Sequence, residues 1–198
     1  MKGSHRLLAI PMALLAIAGL GLIAFYVSPG NESAFKENMV PQLIGFCMEG
    51  FFLVGLLSLL QKSQERRQRR ELWLSLRGAL RGFLSKLDIA LLPPHAEPAP
   101  TVVLETDLKI VTRFLRELPN SRLEIEDMVA LKREGTESLG LARDMIPVAA
   151  QLSARHMRWW IAIVNSMRQL AQARSRESVE AAVYLMLENI CEFDNVEL

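Results

Sequence analysis

Residues 40–60 read VPQLIGFCMEGFFLVGLLSLL, and this stretch decides the fold class. Its only formal charge is Glu49; its only other polar side chains are Gln42, Cys47 and Ser58. A helix of this length reaches about 30 Å, the thickness of a bilayer's hydrocarbon core. Hydrocarbon does not solvate a carboxylate, so Glu49 must be protonated, paired, or turned to a water-lined interior. Two roles stay open for it. It can hydrogen-bond across a helix interface, or it can line or gate an assembly in which it meets its own copies.

Upstream, residues 7–27 form a second uncharged apolar run. Lys2 and Arg6 precede it like the n-region of a signal peptide. The run exceeds the usual ~7–15 residues of such a peptide, however, and no small-x-small site closes it. The exit reads Phe25-Tyr26-Val27-Ser28-Pro29-Gly30, so a retained anchor is expected. Pro11 falls early in this span, where losing a backbone hydrogen bond costs least. Residues 28–39 suffice only for a turn, which makes the two spans an antiparallel hairpin.

Charge sets the orientation. The connecting turn carries Lys36 against Glu32 and Glu37. Residues 62–86 carry Lys62, Arg66, Arg67, Arg69, Arg70, Arg77, Arg81 and Lys86 against Glu65 and Glu71. The positive-inside rule therefore puts both termini in the cytoplasm. Small residues provide packing surfaces: Ala9, Ala13, Ala16, Gly21 and Ala24 on the first span, Gly45, Gly50 and Gly55 on the second.

Beyond the second span, residues 61–92 read as a continuing basic amphipathic helix. Trp73, Leu76, Leu80, Phe83 and Leu87 recur with a 3-4-3-4 rhythm. Arg66, Arg67, Arg69 and Arg70 lie where anionic phospholipid headgroups would be. The apolar stripe can form a coiled coil in a homo-oligomer, or pack on the domain that follows. Four prolines within residues 93–100 then make a semi-rigid linker.

Residues 101–198 read as an all-helical domain. Expected helices cover 102–118, 121–134 with Ser121 or a neighbour as N-cap and Glu124 in a capping box, 148–174 and 176–191. A loop or short turn is expected over 136–147, after Gly135. From Glu97 onward there are 12 Lys/Arg against 16 Asp/Glu, an acidic balance that argues against nucleic acid and suits a basic protein partner. The fold class is thus an all-α membrane protein: a transmembrane hairpin over 1–61, a juxtamembrane helix over 62–92, a linker over 93–100 and a helical bundle over 101–198.

Little chemistry is encoded. His5, His95 and His156 sit in separate contexts, and no metal or cofactor is expected. Cys47 and Cys191 read as free thiols in a reducing compartment. There is no phosphate loop, no HExxH and no nucleophile elbow. Trp159 and Trp160 point about 100° apart on a helix, so one can fill the core while the other meets a partner. No catalytic residues are proposed, and the chain reads as non-enzymatic.

The layout, two spans followed by a cytoplasmic helical region, is similar to the small two-span effectors of bacterial anti-phage systems. The resemblance is one of architecture. It implies a bacterial inner-membrane location, homo-oligomeric spans around Glu49, and a bundle that senses a signal or protein partner. The other expectation is a membrane-anchored adaptor, its hairpin a plain anchor and its acidic bundle holding a cytoplasmic protein.

Overall fold

The computed structural model describes residues 4–28, 34–92 and 95–197, and within the first two helices their side chains from Ile10 and from Met39 onward. Every element among the described residues is helical. The chain divides into two compact units, Met1–Arg67 and Gln68–Leu198.

The first unit is built from α1 (Ser4–Val27) and the start of α2 (Ala34–Ala79). Each helix contains a stretch long and apolar enough to cross a membrane. Helix α2 starts at Ala34, six residues before the expected start of the second span at Val40, so Pro41 falls inside the helix. Pro11 is likewise internal to α1. Each proline removes one intrahelical hydrogen bond, a loss that membrane helices tolerate.

Glycines set the contacts between the two helices. A Cβ on Gly19 would lie 3.6 Å from Cys47 Cβ, one on Gly50 3.3 Å from Leu15 Cδ1, and one on Gly55 3.8 Å from Met12 Cε. The contact stripe on α1 thus runs through Met12, Leu15 and Gly19. The expected alanine stripe differs: Ala13 is exposed, Ala16 is half-buried, and Ala9 lies outside the described side chains.

The second unit shares one core. It holds the end of α2, then α3 (Arg81–Ala90), α4 (Thr101–Thr106), α5 (Lys109–Glu117) and a 3-10 turn (Leu118–Asn120). Helices α6 (Ile125–Asp144), α7 (Ile146–Leu152), α8 (Ala154–Gln172) and α9 (Arg176–Asp194) complete it. Helices α8 and α9 form the central pair; α6 and α7 pack on α8, α5 on α9 and α3 on α6.

The apolar stripe from Trp73 to Leu87 belongs to this core. Leu76, Leu80, Phe83, Leu84 and Leu87 are fully buried within it. Of the two uses open to the stripe, packing on its own domain is the one realised. The helix also breaks: α2 closes with Leu80 N–H donating to Arg77 O at 3.0 Å, and α3 follows. The two units therefore divide near residue 67 rather than at the proline stretch.

Four expected elements change for identifiable reasons. Gly135 does not end a helix; α6 runs through it to Asp144, so the expected loop over 136–147 is mostly helical. A Cβ there would sit 3.1 Å from Leu170 Cδ2, so the missing side chain lets α8 approach. The N-cap of α6 is Glu124, not Ser121, and its N–H donates to Asp127 Oδ2 at 3.3 Å. The expected helix over 148–174 splits at Ser153, whose Oγ accepts from His156 N–H at 3.2 Å and caps α8. The expected helix over 102–118 splits at Asp107, whose Oδ1 accepts the Lys109 N–H at 2.9 Å.

Candidate functional site

Two places stand out among the described residues: an exposed carboxyl on an apolar helix in the first unit, and a buried ion pair in the second.

In the first unit, Glu49 is exposed in the single chain. Helix α2 turns about 100° per residue, and its α1-facing positions are Cys47, Gly50 and Gly55. Glu49 falls on the opposite side, and Gln42 with it; both are exposed. The hydrogen-bonding role across the interface with α1 is therefore not the one Glu49 takes within one chain. The two glycines nearest Glu49 behave differently. Gly50 packs on Leu15, whereas Gly45 has open space where a Cβ would be and shares the outward side with Glu49.

In the second unit, the last turns of α2 bring Arg77 into the core. Its side chain is fully buried, and that of Asp194, at the end of α9, is 4% exposed. Arg77 Nη1 lies 3.2 Å from Asp194 Oδ2. Arg77 Nη2 donates to the carbonyl of Asp107, also at 3.2 Å, which ties the α4–α5 junction to the same guanidinium. Trp73, one turn back, places its ring 5.8 Å from the guanidinium carbon.

The pair is poorly satisfied. Arg77 Nε and Nη1 and both Asp194 carboxylate oxygens lack a hydrogen bond of proper geometry. Burial outweighs the attraction of Arg77 and raises the Asp194 carboxyl from 3.8 to about 7. Burial likewise holds Arg77 below its usual value, against the pull of Asp194 and Asp107. Both shifts have the cause expected of an ion pair whose mutual attraction does not repay desolvation.

His156 also packs against the α9 terminus. Its ring meets Phe193 edge-on at 5.3 Å, and Phe193 also packs against Trp160 at 5.5 Å. His156 Nδ1 is 2.8 Å from Ser153 Oγ. Burial, then the nearby Arg69 and Arg155, lower its pKa below 6.5; the Val196 backbone opposes them by a smaller amount.

The remaining expected positions fall as follows. Trp160 is fully buried and donates its indole N–H to Ala142 O at 2.7 Å, so it is a core residue and not a partner contact. Trp159 is half-buried at the core margin. Arg66, Arg67 and Arg70 are exposed and Arg69 is half-buried. No cluster of three His, Cys, Asp or Glu side chains able to hold a metal exists among the described residues. The end of the proline stretch is tied down at Ala99, whose N–H donates to buried Asp88 Oδ2 at 2.7 Å, and Arg113 pairs with the other oxygen.

In the sequence alone Arg77 is one more basic residue of 62–86, and Asp194 is one of the acidic residues after Glu97. A signal existed. Arg77 follows Trp73 by four, and Asp194 follows Ile190 by four, so each continues an apolar face.

Compared with protein-family models, curated proteins and solved structures, the chain has no match.

Proposed function

We propose that this chain is a non-enzymatic membrane protein whose two spans assemble with copies of themselves, as an effector or channel-like complex, under control of the helical bundle. The observation that carries this reading is the position of Glu49: mid-span, exposed, and on the side of α2 opposite α1. A lone carboxyl facing lipid is costly and is removed by association.

In this reading α1 and α2 are an antiparallel transmembrane hairpin, which the contact order supports: Gly19 meets Cys47, Leu15 meets Gly50, and Met12 meets Gly55. Both termini are cytoplasmic by charge bias, and Arg66, Arg67 and Arg70 meet anionic headgroups. The location is a bacterial inner membrane, and the setting anti-phage defence, by architectural resemblance alone. The bundle senses or binds a cytoplasmic protein.

The second reading, a membrane-anchored adaptor, is favoured by a different observation. Ile125 and Val129, one turn apart on α6, are 69% and 61% exposed. One experiment separates the two: full-length chain is expressed in bacteria and potassium efflux is followed. Efflux that Glu49→Gln abolishes supports the assembly reading. Equal efflux from both proteins removes Glu49 from the mechanism, and no efflux from either, with a protein co-purifying, favours the adaptor.

A further inference from the structure

The polar residues of the second span divide by side. Cys47 and Ser58 are half-buried, and Cys47 packs on Gly19 of α1. Gln42 and Glu49 are exposed. At about 100° per residue, positions seven apart drift only about 20° around a helix. Gln42, Glu49 and Leu56 therefore fall on one line along α2, opposite the α1 contacts. Gly45 lies on the same side between the two polar residues, with nothing within 4 Å of where its Cβ would be.

We propose that this line is the seam along which α2 packs, in parallel, on α2 of a second copy of the chain, with α1 on the far side of each. The proposal rests on the assembly reading above and names its interface. Three physical points select a second copy as the occupant. A protonated carboxyl and a carboxamide are each donor and acceptor at once, so Glu49 can pair with Glu49 and Gln42 with Gln42 across a two-fold axis. Lipid tails offer neither donor nor acceptor. Copies inserted with the same topology run parallel, which brings identical residues level, and Gly45 permits the close approach that such bonds need.

Cysteine cross-linking in bacterial membranes tests this with the full-length chain. The native thiols are removed as Cys47→Ser and Cys191→Ser, and Glu49 is kept. Single substitutions on the seam (Gln42→Cys, Gly45→Cys, Leu56→Cys) are compared with Ile44→Cys and Leu57→Cys on other faces of α2. Leu14→Cys and Ile17→Cys sample α1. Tryptophan fluorescence of each variant confirms that Gln68–Leu198 remains folded.

Mild oxidation is expected to give disulfide-linked dimers at 42, 45 and 56, and several-fold less at 44 and 57. Strongest cross-linking between copies at 44 or 57, or on α1, overturns the seam while leaving an assembly in place; cross-linking chiefly to a different protein overturns both. No cross-link at any position, together with a monomeric mass after solubilisation, overturns both the seam and the assembly reading.

Discussion

Replacing Asp194 with asparagine sets two physical arguments against each other. A buried ion pair that loses one partner ordinarily costs about 3–5 kcal/mol, because the other charge is left uncompensated. In this protein the pair is misaligned, and the Asp194 carboxyl stands at about 7 rather than 3.8. The folded chain therefore binds that proton more tightly than the unfolded chain. Ionisation costs stability as pH climbs from about 4 to about 7, and the whole cost stands above 7. At about 1.36 kcal/mol per tenfold change in proton affinity, it amounts to about 4 kcal/mol as an upper figure. Asparagine mimics the neutral acid in size and charge. Asp194→Asn should accordingly match or exceed the wild type at pH 8, by up to about 4 kcal/mol, and the difference should shrink as pH falls towards 4. His156 contributes the opposite slope. Its folded pKa lies below 6.5, so its stabilising contribution is full above 6.5 and is lost as pH falls towards the folded value. It is present in both proteins and drops out of the difference. Urea unfolding of full-length chain in detergent, followed by tryptophan fluorescence, reads the right unit, because Trp73, Trp159 and Trp160 all lie within Gln68–Leu198. A variant about 3–5 kcal/mol less stable at pH 8, recovering as pH falls, would refute the reasoning and make the ion pair a net stabiliser.

Two further substitutions probe the core. Trp160→Phe leaves the buried carbonyl of Ala142, in the last turn of α6, without its donor; a loss of about 1–3 kcal/mol is expected from the hydrogen bond, with a smaller addition for lost volume. Helical circular dichroism during urea unfolding measures it, and a loss below about 0.5 kcal/mol would show the bond to be dispensable. Gly135→Val drives a branched side chain at Leu170 and should cost about 1–3 kcal/mol. Gly135→Ala should cost less, since the gain in helix propensity returns about 1 kcal/mol. Wild-type stability in the valine protein would mean that this glycine does not set the α6–α8 crossing.

The helical class and the two apolar spans were legible because charge and hydropathy announce them over twenty residues at a time. The stripe from Trp73 to Leu87 was legible as apolar, but its destination was not: periodicity locates a face without naming what covers it. Gly135 misled because a glycine that admits Leu170 and a glycine that ends a helix look alike in one dimension. Ser153 and Asp107 carry cap chemistry that could have been recognised, since each is a small polar residue whose side chain accepts a nearby backbone N–H. Arg77 and Asp194 lie more than a hundred positions apart in the chain, and no local pattern pairs them. In the span, Glu49 stood out as a charge, whereas its side of the helix became readable only once Gly19, Leu15 and Met12 fixed where α1 lies.

Asp88, holding Ala99 and Arg113 together, has a consequence for how such a gene could be recombined. The proline stretch looks like a seam between modules, the natural place for a fusion or a swap. Yet Leu76, Leu80, Phe83, Leu84 and Leu87 precede it and belong to the same core as the helices that follow. A crossover there would divide one hydrophobic interior between two ancestries. The compact unit that shares this interior begins at Gln68, inside α2.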